Sequence, residues 1–128
     1  MREYLFRGKT LNGDEWVEGS LISVDTETDG TLAYIFPDAG RSRSVDPETV
    51  GQWTDLPDKN DKKIFEGDVL YNGIGAPVVV DYLPGLFTVV YPGGSQRLLN
   101  DYYESGVTEV IGNIHDNPEF REKLLKGE

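Results

Sequence analysis

Apolar and polar positions alternate along the first half of the chain. Between Glu15 and Val24, the side chains of Trp16, Ile22 and Val24 fall on one face of an extended segment, with Glu18 and Ser20 between them. Val17 and Leu21 fall on the other face. A strand with apolar groups on both faces belongs in the middle of a sheet or at a junction between subdomains. Tyr4 to Lys9 reads as the strand before it. Asn12-Gly13 lies between the two and carries the strongest short hairpin signal, because both residues accept positive φ. Leu32 to Phe36, stopped by Pro37, reads as a third strand. Ser44-Val45 and Thr49 to Thr54 read as two further short ones.

The second half repeats this rhythm at shorter intervals. Leu56-Pro57-Asp58-Lys59-Asn60-Asp61 is a turn: Pro57 presets φ, and Asp58 and Asn60 can bond back to the chain. Lys62 to Asp68 leads into a strand at Val69–Tyr71, broken by Gly73 to Pro77. Val78–Tyr82, Phe87–Tyr91 and Thr108–Ile114 read as strands, while Gln96 to Ser105 reads as a short strand and a helical turn. The chain ends on a helix signal, with Asn117 at the N-cap and Pro118 at the first helical position. Phe120 and Leu124, four apart, share the face that docks.

The expected fold is mainly β within a single domain over 1–128. An N-terminal β-subdomain spans approximately 1–55. A small SH3-like β-barrel with a short C-terminal helix spans approximately 56–128.

Composition narrows the function classes. A chain of 128 residues without cysteine has no disulfide to staple it, which suits a reducing cytoplasm. The N-terminus has no apolar signal region, and no apolar run reaches membrane-helix length. The net charge is −11, from 12 basic and 23 acidic residues. Such a chain repels phosphate backbones, so direct nucleic-acid binding and membrane binding are not expected. The charge reads as solubility; the alternative is an acidic mimic of DNA that inhibits a nucleic-acid-binding protein. Arg41-Ser42-Arg43 is too small a basic island to change this.

Catalytic motifs are missing. His115 is the one histidine, and Cys-His chemistry is impossible. Asp58 to Val69 fails the calcium-loop pattern at Lys62, Lys63 and Val69. Gly73-Ile74-Gly75 lacks the third glycine of a dinucleotide loop. No catalytic residue, cofactor or metal is expected.

Glu66 and Asp68 are the best carboxylate pair. They would share a strand face if extended, and crowding would then raise one pKa for a hydrolase or metal site. Otherwise Gly67 bends the chain and the two acids bond backbone or basic neighbours. Trp53 reads as packing between the two subdomains. Tyr102-Tyr103 is the pair that would expose a ring to a partner, ordinary packing being the alternative. Asp58 completes the set of partner-binding or structural candidates.

Two segments carry a resemblance. One runs Val50-Gly51-Gln52-Trp53-Thr54, then Leu56, Asp58-Lys59-Asn60 and Ile64-Phe65-Glu66-Gly67-Asp68-Val69. The other is Val110-Ile111-Gly112-Asn113-Ile114-His115-Asp116-Asn117-Pro118-Glu119. With Arg2 to Gly8 and Trp16 to Leu21, they make the chain resemble the YopX family of phage and prophage proteins over nearly its whole length. Two departures stand out. Asp61 follows the turn asparagine where the family commonly has Gly, and His115 stands where Tyr is usual. The resemblance implies an all-β build and a bacterial host cytoplasm. It also implies an N-terminal β-subdomain that forms homo-oligomers such as hexamers; the barrel is read as meeting an unknown phage or host protein. It supplies no catalytic residues to carry over.

Overall fold

In a computed structural model of the chain, residues 4–13, 15–38 and 40–126 are described, with side chains through 122. The fold is mainly β, as the sequence leads one to expect, and divides into two compact units, Met1–Trp53 and Thr54–Glu128. The division falls inside a strand, after Trp53.

The first unit is an antiparallel sheet. Its strands are β1 (Phe6–Lys9), β2 (Trp16–Thr26), β3 (Gly30–Phe36), β4 (Arg43–Val45) and the start of β5 (Gly51–Pro57), in the order β4-β3-β2-β1-β5. The β1–β2 connection sits where Asn12-Gly13 signals a hairpin, but it is wider than a two-residue turn. Lys9 pairs with Trp16, and the Thr10 N–H donates to the Glu15 carbonyl at 2.9 Å. Only Gly13 takes positive φ, 77°; Asn12 instead accepts a hydrogen bond from the Thr10 hydroxyl at 2.6 Å.

Between β2 and β3 the register runs from Ser20↔Phe36 to Thr26↔Gly30. It places Leu21 opposite Ile35 on the inner face, and Ile22 opposite Tyr34 on the outer one. The inner face carries the core: Val17, Ala33, Ile35 and Val45 are buried, with Phe6, Leu21 and Val50 packed against them. Each valine, leucine, isoleucine or phenylalanine taken fully out of water stabilises the fold by about 1.5–3 kcal/mol.

Thr49 does not open a strand. Asp46 caps a 3₁₀ turn at Pro47–Thr49, accepting from the Glu48 N–H at 3.0 Å, so β5 begins at Gly51. Asp before Pro is an N-cap signature that overrides the β-propensity of Thr.

In the second unit the remainder of β5 neighbours β6 (Lys63–Phe65). A five-stranded sheet follows in the order β10-β9-β8-β7-β11: β7 (Asp68–Tyr71), β8 (Val78–Leu83), β9 (Leu86–Val90), β10 (Gln96–Leu98) and β11 (Glu109–Asn113). Ile64, Leu70, Val78, Val80, Val89, Leu99 and Tyr102 form its buried core. The stretch from Gln96 forms the short strand β10 and a single helical turn, α1 (Leu99–Tyr102), as read from the sequence.

The final helix is α2 (Pro118–Lys126). Asn117 stands at its start with the side chain turned back: its Oδ1 accepts from the Asn113 N–H at 3.2 Å. Phe120 is half-buried, and the Leu124 side chain lies outside the described residues.

Candidate functional site

The two segments that carry the family resemblance meet at Asp58, 52 positions before Val110 in the chain. Pro57 ends β5 and the chain turns through Asp58–Lys62. The Asp58 carboxylate fills this turn. Oδ1 accepts from the N–H groups of Asn60 and Lys62 at 2.8 and 2.9 Å, and Oδ2 accepts from the Val110 N–H at 3.0 Å. A carboxylate has room for several donors, so one buried side chain satisfies two backbone groups of the exposed turn and one of β11.

Neighbouring bonds reinforce this junction. The Lys59 N–H donates to the Thr108 carbonyl at 2.8 Å, and Lys59 Nζ lies 3.3 Å from Glu109 Oε1. Burial pushes the Asp58 carboxyl pKa upward. The backbone donors of Val110, Lys62 and Asn60 and the Lys62 charge more than offset this, and the pKa ends below its ordinary value.

Asp61 completes the turn with φ of 64°. The departure from the family's glycine therefore sits in the left-handed region, where a side chain costs roughly 1 kcal/mol. Asp61→Gly is expected to leave the melting temperature unchanged or raise it, since relief of strain opposes the extra freedom of glycine in the unfolded chain. Thermal denaturation by circular dichroism checks this. A clear fall would show that the Asp61 side chain contributes more than its backbone strain costs.

Glu66 and Asp68 do not form the carboxylate pair on an extended segment. Glu66-Gly67 is the turn between β6 and β7, and Gly67 takes φ of 93°. Asp68 is buried, and its Oδ2 accepts from the Phe65 N–H at 2.7 Å; Glu66 is half-buried. The bend, the alternative reading of these residues, is what the chain adopts. Gly67 also ties the segment to its surroundings. Its N–H donates to the Val80 carbonyl at 2.8 Å, and its carbonyl accepts from the Ile114 N–H at 2.9 Å. His115 Nε2 would lie 3.3 Å from a Cβ placed on Gly67. Gly67→Ala is expected to lower stability by about 2 kcal/mol, from positive φ plus this contact. Urea denaturation followed by circular dichroism measures it.

The tyrosine pair is packed, not offered to solvent. Tyr102 is buried in the core edge-on to Tyr91, with ring centroids 6.2 Å apart. Burial raises its pKa, and its hydroxyl lies against the Asn72 backbone without hydrogen-bond geometry. Tyr103 is half-buried and donates its hydroxyl to the Pro57 carbonyl at 2.7 Å. The helical turn read from Gln96 to Ser105 is α1, and it buries Leu99 and Tyr102. Trp53 is half-buried, and its N–H donates to the Leu5 carbonyl at 2.8 Å.

Among the described residues, no three His, Asp or Glu side chains are grouped so as to hold a metal ion. Among the same residues, no helix is long and apolar enough to cross a membrane.

The first unit exposes large apolar side chains on the outer face of β2 and β3. Ile22, Val24 and Phe36 are 50%, 47% and 41% exposed, values typical of charged rather than apolar side chains. The register sets Ile22 beside Tyr34 and Val24 beside Leu32, both half-buried. These five residues form an uncharged patch. At the other end of the same face Trp16 lies under Arg7 and Lys9, with Arg7 Cζ 4.5 Å and Lys9 Nζ 5.8 Å from the ring centroid. The signal for the patch was the doubly apolar alternation of β2; Tyr34 and Phe36 join it only through the register.

A family model described as YopX protein matches residues 5–122. Among solved structures, the chain is similar to the crystal structure of protein EF1440 from Enterococcus faecalis. The two share 23% identity at a TM-score of 0.56, with 92% of this chain and 97% of that one covered. That likeness speaks for the fold. No curated protein matches the chain.

Proposed function

Since the chain belongs to the YopX family, whose model spans nearly all of it, we propose that it is a non-enzymatic assembly module. In this reading the first unit self-associates and the second meets a phage or host protein in the bacterial cytoplasm. The observation that carries the reading is the uncharged patch of Ile22, Val24, Leu32, Tyr34 and Phe36 on the outer face of the first unit. A chain with a net charge of −11 repels its own copies, so contact is cheapest where charge is absent. An apolar sheet face left in water is also where association gains most from burial.

For the second unit, the support is the β8–β9 hairpin tip. Tyr82, Leu83 and Leu86 are exposed there around Pro84-Gly85. The carboxylates that could suggest hydrolysis, Asp58 and Asp68, accept backbone N–H groups instead, which favours the non-enzymatic reading.

Light scattering coupled to size exclusion tests the reading across a concentration series. The wild-type chain is expected to elute as a closed oligomer. The double substitution Ile22→Glu/Val24→Glu is expected to give monomers with an unchanged circular dichroism spectrum. Two carboxylates forced into a dry interface cost at least about 3 kcal/mol, more than two decades in association constant. A wild-type monomer at high concentration would overturn self-association. An oligomer that survives the double substitution would move it to another face.

A further inference from the structure

Two Asn-Gly pairs occur in the chain, Asn12-Gly13 and Asn72-Gly73. In an unfolded chain they are chemically alike. The backbone nitrogen of the glycine can attack the asparagine side-chain carbonyl carbon. A new C–N bond forms, the glycine N–H proton is lost, and the amide leaves as ammonia. Water then opens the cyclic imide at either carbonyl, giving aspartate or isoaspartate. Glycine suits the step because it has no Cβ to shield the nitrogen or restrict the approach.

The fold separates the two sites. At the first, the nucleophile is engaged: the Gly13 N–H donates to the Thr10 carbonyl at 2.7 Å, while Asn12 Oδ1, like that of Asn72, accepts one hydrogen bond, from the Thr10 hydroxyl at 2.6 Å. Attack there requires the closing bonds of the β1–β2 loop to open. At the second, Gly73 is exposed at φ of 89°, with no atom within 4 Å of where a Cβ would stand. Its N–H donates to no acceptor among the described residues. Asn72 Oδ1 accepts from the Ile74 N–H at 3.1 Å, so its side chain is folded over the Gly73 peptide. That donor also stabilises the negative charge the oxygen takes on when nitrogen adds to the carbon.

We propose that Asn72 is a site of spontaneous imide formation in the folded protein, converting to aspartate and isoaspartate, while Asn12 is protected. The isoaspartyl product inserts one carbon into the main chain directly after β7, beside the Tyr102 hydroxyl. It therefore alters the edge of the second unit's core, not only the loop.

Peptide mapping by mass spectrometry tests this on the full chain held in mildly alkaline buffer. Methyl uptake by an isoaspartyl methyltransferase gives an independent readout. Conversion at Asn72 is expected to run at least about tenfold faster than at Asn12, equivalent to about 1.4 kcal/mol in barrier. In urea the two rates are expected to converge, and Asn72→Gln is expected to abolish methyl uptake by the native protein. Equal rates in the native chain, faster reaction at Asn12, or no conversion at Asn72 would each overturn the proposal. A difference that persists in urea would overturn the role assigned to the fold.

Discussion

Asp58→Ala is expected to destabilise the second unit by about 3–5 kcal/mol. The estimate follows from what is left behind. The N–H groups of Asn60, Lys62 and Val110 all donate to this one side chain, which is 5% exposed. Each stranded buried donor costs about 1–3 kcal/mol, less where water can enter the space left by the carboxylate. Asp58→Asn should fall between wild type and alanine. Its one carbonyl oxygen can serve either the turn or Val110, and its amide nitrogen then faces an N–H on the other side.

Acid dependence gives a second, sign-specific readout. The Asp58 pKa is lowered from its ordinary value of 3.8 in the folded state. The unfolded state therefore binds the proton more readily, and stability rises with pH across that range. The Asp58 contribution is complete above the ordinary carboxyl pKa and is lost as pH falls from there through the folded value. The gap in melting temperature between wild type and Asp58→Ala, measured by calorimetry, should be full at neutral pH and narrow on acidification below the carboxyl range. A gap that stays constant with pH would show that the carboxylate charge is not what holds the turn.

The same residue shows what sequence makes legible. Pro57, Asp58 and Asn60 announce a turn by local chemistry, and Asp61 announces a left-handed residue by standing where the family has glycine; both features are present. The destination of the Asp58 Oδ2 is not local. Its partner lies 52 positions away, so its role as a clasp to β11 emerges only with the register of β7 against β11.

At Glu66 and Asp68 the two readings of the sequence part, and the bend at Gly67 is the one the chain adopts. A period-two reading treats them as neighbours on one face, but Gly67 at positive φ breaks the period between them. For Tyr102 the helical turn and ordinary packing were both legible, but the Tyr91 ring it meets was not. The outer face of β2 was half visible. Ile22 and Val24 alternate correctly, yet only the pairing with β3 adds Tyr34, Leu32 and Phe36 and leaves the patch without charge.

The first unit makes an equally sharp prediction through two glycines that share its inner face. A Cβ added to Gly8 would meet Val45 Cγ2 at 2.7 Å and Val45 Cβ at 2.9 Å, both side-chain atoms. A Cβ added to Gly19 would run into the main chain of β3, reaching the Phe36 carbonyl carbon at 2.6 Å. Both additions overpack a buried site and should cost about 3 kcal/mol. The repair differs, because a side chain can be trimmed and a backbone cannot. Val45→Ala alone opens a hole and costs about 2 kcal/mol, since Val45 is only 1% exposed. Combined with Gly8→Ala it removes the nearest obstacle, Cγ2, and leaves only the Cβ contact at 2.9 Å, so the double variant should be more stable than the sum of the singles by about 1 kcal/mol while still falling short of full rescue. Phe36→Ala should not rescue Gly19→Ala, because the Phe36 side chain is 41% exposed and is not what the new methyl group strikes. Double-mutant cycles in urea separate the cases. Additivity at Gly8 and Val45 would mean that β1 shifts as a whole, and rescue at Gly19 would mean that β3 moves away from β2 once its outward aromatic anchor is gone.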